Sequence, residues 1–423
     1  MSQAIYQLRS VTMTGQIGIH TNVYPPPPPI ARFICSQLGS AIVASDVAAS
    51  DQFGRSIALH EATLVVGAPN HEVGGNTGAG AIYVYVYSNG GWDYVTTLTG
   101  GAYIEASAQL GYSVAVYGDY IVAGAYLENG SRGAAYVFKR TDGIWGTDPV
   151  ARLVSTDQQA GAQFGMSVSL HGSIIAIGAP GDDVDGSGLN AGRVHVFTGS
   201  NASWALETVL TATVPESGAE FGISLSSNSN SIAVGAWKEN VRSGAVYIYT
   251  RNAPGQWSSV RVVPDQEIEN SRFGTSLELK GTSLIVGAPV GEGGCAYIFE
   301  NSNQWNQRAI LNARNTGGLI TDSSVSSVDS QGISVSIDPS VDIAIVGAQR
   351  NDNGTGCAYL YENVYGRWKP SAIQPVSKIK ASDGTMNDYF GLPVIVDSGK
   401  IIVGASRRDS NGNGDAGAIY AFE

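Results

Sequence analysis

The residues best suited to chemistry lie in two short runs rich in aspartate, asparagine and glycine. One reads Asp182-Asp183-Val184-Asp185-Gly186-Ser187-Gly188 and the other Asp409-Ser410-Asn411-Gly412-Asn413-Gly414-Asp415. Counted from Asp183 and from Asp409, both place oxygen side chains at positions 1, 3 and 5 and glycine at 6. That is the order of a calcium loop, in which alternate side chains converge on the ion and glycine permits the sharp turn. Position 12, where such a loop needs a carboxylate, holds Val194 in one run and Tyr420 in the other. The same residue types also build tight turns through positive φ and side-chain-to-backbone bonds, so a calcium loop and a plain turn both fit. The candidate metal ligands are Asp409, Asn411, Asn413, Asp415, Asp183, Asp185 and Ser187. Calcium is the ion they suit, and no cofactor is required. Asn351-Asp352-Asn353-Gly354-Thr355-Gly356 is a weaker version.

An enzyme is hard to assemble from the rest. The histidines (His20, His60, His71, His171, His195) are scattered, and the chain has no Cys/His metal spacing, nucleophile elbow or phosphate loop. Hydrolysis by two carboxylates brought together in space remains the minor catalytic alternative.

The elements that position these loops repeat about every 56 residues. Phe-Gly or a relative recurs at Phe53, Leu110, Phe164, Phe221, Phe273, Gln331 and Phe390, and a Gly-Ala pair follows at Gly67, Gly124, Gly178, Gly235, Gly287, Gly347 and Gly404. A third mark alternates aromatic and β-branched residues, as in Gly80-Ala81-Ile82-Tyr83-Val84-Tyr85, which indicates a strand with two packed faces. A fourth opens on Trp92, Trp145, Trp204, Trp257, Trp305 or Trp368. Each unit is therefore four short antiparallel strands, a to d, and regular self-similarity at this period means a repeat architecture. The seventh unit stops after strand c, and a spare strand waits at Phe33 to Ser45. A ring uses such an arrangement and an open stack does not. The expected fold is all-β, a seven-bladed β-propeller of four-stranded antiparallel blades over residues 30–423, closed by an N-terminal strand that completes the last blade.

These marks resemble the FG-GAP repeats of integrin α subunits. The resemblance implies a binding or assembly module without catalysis, extracellular or on a cell or virion surface. The calcium loops of that family lie between the two marks, where this chain has only short turns such as His171-Gly172-Ser173, so the family's metal sites do not carry over.

A four-stranded antiparallel blade sends its b–c and d–a loops to one face of the ring. The b–c loops vary in length, and variable loops on a rigid scaffold are the usual place for recognition. They carry the candidate ligand contacts Tyr126, Asp182, Asp183, Asp185, Arg193 and Trp237. Tyr126 and Trp237 stand where other repeats have Pro69, Pro180 or Pro289, and fit either a partner's side chain or sugar, or packing between blades. In the third unit Arg193 replaces a small residue and His195 a tyrosine. A charge there needs a partner, and Asp182, Asp183 and Asp185 are the nearest candidates. The six tryptophans most simply cover outer blade edges.

A net charge of −12 argues against nucleic acid and anionic membrane, and no stretch approaches the ~20 apolar residues of a membrane span. The three cysteines cannot form a disulfide framework; Cys295 and Cys357 are expected to be free, buried thiols. Nor does the N-terminus carry a signal peptide's apolar core. Residues 1–29 form a separate arm ending in five prolines, a stiff spacer. The leading expectation is a non-catalytic propeller binding a protein or glycan. The alternative is a structural component of a surface, appendage or virion assembly, attached to its partner through the arm.

Overall fold

The computed structural model describes residues 35–423 apart from 104, 158, 185–188, 292, 314–328, 364–367, 369–371 and 411. The N-terminal arm, Asp185, Ser187 and Asn411 therefore lie outside the described residues. Seven sheets follow one another along the chain. In blade 1, strands a to d are Ser56–His60, Thr63–Ala68, Ala81–Ser88 and Gly91–Leu98. In blade 3 they are Ser167–His171, Ile174–Ala179, Arg193–Ser200 and Ser203–Leu210. Each pairs antiparallel with the next. Every residue of strand b is buried in both blades, while strand d is half-buried or exposed up to its last residue. Two-residue turns join a to b, as in the pairings of His60 with Thr63 and His171 with Ile174.

The Phe-Gly and Gly-Ala marks are the seam between neighbouring blades. The phenylalanine packs edge-on against the aromatic pair of its own strand c, as Phe53 does on Tyr83 and Tyr85 with ring centroids 5.3 and 6.3 Å apart. Its amide reaches the preceding blade, Phe221 N–H donating to Ala191 O and Phe273 N–H to Ser243 O. The Gly-Ala glycine lies against the next blade's Phe-Gly glycine so closely that a Cβ on Gly178 would sit 2.1 Å from Gly222 O. That contact, rather than any turn, explains why the position holds glycine.

The ring closes as expected, with one difference. Ser36 and Leu38 N–H donate to Glu423 and Ala421 O, and Ile42 exchanges both bonds with Ile419. Between them the pairing is interrupted at Gly39, whose φ is +69°, so the closing segment is two short bridges instead of one continuous strand. Blade 5 gains an unforeseen edge, Ala372–Ile373 pairing parallel with its strand d, Trp305–Leu311. Cys357 is buried, but Cys295, which begins strand c at the same slot, is only half-buried, a correction to the expected burial. All three cysteines are free. The seven strands a line a central cavity of about 520 Å³.

Candidate functional site

The strand c tyrosines head a polar cluster beneath the b–c/d–a face. In blade 2 (strand c Ala134–Thr141) Tyr136 Oη donates to Glu128 Oε2 at 2.5 Å, and Arg152 Nε reaches Glu128 Oε1 at 2.8 Å. In blade 4 (strand c Ala245–Ala253) Tyr247 Oη donates to Glu239 at 2.8 Å, and Arg261 Nε binds the same carboxylate at 2.7 Å. Blades 1 and 7 supply the carboxylate from the d–a loop instead. Tyr83 donates to Asp46 and Tyr420 to Asp383. The basic side chains beside them, His71, which lies 3.8 Å from Asp46 and 2.8 Å from Asp51, and Arg408, come from the b–c slot that holds Glu128 and Glu239 in blades 2 and 4. Burial first, then the neighbouring carboxylate, pushes the phenol pKa of Tyr83, Tyr136, Tyr247 and Tyr420 upward. They are neutral donors at any physiological pH.

Blade 3 breaks this pattern. Acids occupy both slots, Asp157 from the d–a loop and Asp182 from the b–c loop, and His195 takes the place of the tyrosine. The strand d residue opposite it is Val209, where Tyr136 and Tyr247 face Arg152 and Arg261. Arg193 meets one of its expected partners, Asp182, and a nearer one that was not expected. Its nearest carboxylate is Asp157, at 2.5 Å, with Asp182 second at 3.6 Å; Asp157 lies on a loop too distant in the chain for local spacing to reveal. Asp183 turns elsewhere, its carboxylate accepting the Asn190 amide at 2.8 Å. Asp182 is 0% exposed and His195 1%. Neither Asp182 oxygen nor His195 Nδ1 has a hydrogen-bond partner among the described residues. Burial raises the Asp182 carboxyl to about 6, against the pull of Arg193, and lowers the His195 imidazole to about 4. The His195 imidazole is therefore neutral at pH 7.

The second feature lies on the same face, at the inner rim. Tyr126 is half-buried with its ring 4.4 Å from Tyr112, which Arg55 covers at 4.3 Å. Trp237 is half-buried between Lys238 at 4.8 Å and Arg272 at 4.6 Å, and its Nε1 donates to Glu220. Arg407 covers Tyr389 at 4.7 Å. Burial, then the neighbouring guanidiniums of Arg242 and Arg350, lowers the Arg272 pKa. Among the described residues none of Arg55, Arg272, Arg350 and Arg407 meets a carboxylate in an ion pair. Tyr126 and Trp237 were legible as departures from a proline slot. The arginines that flank them were missed: Arg272 stands just before its Phe-Gly mark, where three other units have Gln52, Gln109 and Gln163, and Arg55 stands just after its own.

In the blade 7 loop Asp409 accepts the Asp415 amide at 3.0 Å, Asn413 Nδ2 donates to Val47 O, and Ser410 and Asn413 exchange backbone bonds. Side chains proposed as calcium ligands thus also hold the turn.

Residues 39–85, 99–138, 148–197, 204–249 and 374–422 match the FG-GAP repeat family. The chain is an FG-GAP repeat protein. Blades 5 and 6 fall outside the matched FG-GAP segments, yet repeat the same seam. No curated protein sequence matches this chain. Among solved structures, Sqt1 of Saccharomyces cerevisiae is similar with a TM-score of 0.51 at 11% identity, covering 92% of this chain and 99% of that one. The Chaetomium thermophilum Sqt1 bound to the N-terminus of ribosomal protein L10 gives 0.50 at 14% identity, with coverages of 87% and 86%. The Pseudomonas aeruginosa periplasmic gluconolactonase PpgL gives 0.50 at 14%, with 78% and 86%. At such identities the likeness extends to the fold alone. A fold shared by a protein-bound structure and a gluconolactonase leaves this FG-GAP protein's activity to be argued from its own residues.

Proposed function

We propose that the protein is a non-catalytic recognition propeller that takes a protein partner, through an acidic segment, on its b–c/d–a face. The observation that carries this reading is the inner rim, where half-buried Tyr112, Trp237 and Tyr389 are each capped by an arginine that forms no ion pair with a carboxylate among the described residues. Aromatic residues and arginine dominate the energetics of protein interfaces, and an arginine left unpaired beside an aromatic plane offers a bidentate site for a carboxylate. A net charge of −12 makes this basic rim an exception on its own molecule. Complementary charge of that kind steers association. The Sqt1 structure bound to a ribosomal-protein N-terminus supports peptide capture as a use of the fold.

An array of acidic, neutral and basic peptides, with a glycan array beside it, tests the proposal. Acidic peptides should bind, weaken with added salt, and lose at least ~10-fold in affinity on Trp237→Ala or Arg272→Glu, since a hot-spot residue is worth ~2 kcal/mol or more. Binding confined to glycans, or acidic-peptide binding indifferent to both substitutions, would overturn it.

A further inference from the structure

We propose that blade 3 carries a binding site for a divalent first-row transition metal, zinc being the simplest case, with Asp157, Asp182 and His195 as ligands. One donor atom from each of the three lies within 4.8 Å of the others. Tetrahedral ligands at ~2.0–2.2 Å from zinc stand about 3.4 Å apart, so the set closes onto an ion by at most ~1.4 Å of side-chain movement.

Three observations favour a cation over an inert polar cluster. Asp182 and His195 are fully buried, yet Asp182 Oδ1 and Oδ2 and His195 Nδ1 have no hydrogen-bond partner among the described residues. Buried polar atoms are almost always satisfied, and each exception calls for a reason. The companion blades show what is missing. In blades 2 and 4 one carboxylate is met by a tyrosine hydroxyl and a strand d arginine. Blade 3 has two carboxylates, a histidine in place of the hydroxyl and Val209 in place of the arginine. Arg193 supplies one positive charge to two acids, and at 3.6 Å it does not hydrogen-bond Asp182. Asp157 is already met by Arg193 and by the Ser155 hydroxyl, which also lies 3.2 Å from His195 Nε2, so the shortfall of positive charge falls on buried Asp182.

Ligand chemistry selects the ion. Imidazole with carboxylates suits zinc, iron, nickel and their neighbours, whereas calcium takes six to eight oxygens. This site is therefore distinct from the Asp/Asn calcium-type loops, and shares no side chain with the candidates Asp183, Asp185 and Ser187. Asp157, partly exposed at the loop face, leaves the ion a route from solvent. Three protein ligands leave a fourth position for water or for a partner's donor.

Calorimetric titration of the chelator-treated chain with zinc tests the site, with calcium in parallel and thermal melting as a second readout. One equivalent of zinc should bind and raise Tm. His195→Tyr restores the residue that blades 1, 2, 4 and 7 carry, so it should fold; it should cut zinc affinity at least ~100-fold, more than the loss of an outer-shell partner costs, and abolish the thermal shift. Asp182→Asn should do the same, and His195→Tyr carries the test alone if Asp182→Asn fails to fold. Absence of zinc uptake by the parent chain, or an undiminished equivalent in His195→Tyr, would overturn the proposal.

Discussion

Glu239 shows how much one side chain can hold at the head of a blade. It is buried, accepts the Tyr247 hydroxyl and binds Arg261, so Glu239→Ala strands a buried donor and a partly buried guanidinium together. The expected loss is about 2–3 kcal/mol in urea unfolding, below the full cost of a broken buried pair because water reaches Arg261. Glu239→Gln keeps an acceptor for the hydroxyl and should lose less. The sequence showed where these clusters would be and not how they are wired. The tyrosines were legible from strand alternation, and His195 stood out as a substitute. Its carboxylate neighbour Asp157 was not legible, because d–a loops join b–c loops only across the folded blade.

At the scale of strands, spacing carried most of the information. Phe-Gly and Gly-Ala stay in phase because their glycines meet across every seam between blades, and contact geometry of this kind tolerates no side chain. Gly178→Ala should therefore cost more than the ~1–3 kcal/mol typical of overpacking, since its Cβ would meet the backbone at Gly222 rather than a side chain that can turn away. Gly172→Ala, where no atom lies within 4 Å of the added Cβ, is the control, although its positive φ makes it slightly unfavourable. A similar loss of Tm in both variants would show that backbone conformation, not the seam, sets the cost. The parallel edge at Ala372–Ile373 escaped the sequence for a plain reason. Two residues have no period, and their pairing with Ile310 and Leu311 is chosen by position alone. Trp204 of blade 3 behaves as outer cover, packing edge-on against Tyr120 of blade 2 at 5.6 Å, whereas Trp145 and Trp368 are buried in the core.

For the whole molecule the decisive join is between blade 7 and residues 36–42. Five backbone hydrogen bonds cross it, and Ala44 is buried among Phe53, Tyr83, Ile402 and Ile419. Removing residues 1–46 should lower stability by roughly 5 kcal/mol at about 1 kcal/mol per bond, while removing 1–29 should leave Tm nearly unchanged. Equal melting of both truncations would mean that the ring does not depend on the join. The closure itself was foreseeable from the spare segment at Phe33 to Ser45; its division into two short bridges at Gly39 was not, since one glycine in a strand pattern marks either a bulge or a gap.

The join also has a timetable. Residues 36–42 emerge from the ribosome about 380 residues before the strand they must cover, a wait of roughly 20–75 s at ~5–20 residues per second. Through that interval the early segment is an unclaimed strand, and two chains growing on one message can each accept the other's. The exchanged pair would satisfy every bond of the single ring, so its abundance is set by the pace of translation and by crowding on the message rather than by stability. Slower synthesis should therefore raise the dimer fraction on size exclusion, and a dimer yield independent of pace would mean that each chain always finds its own end.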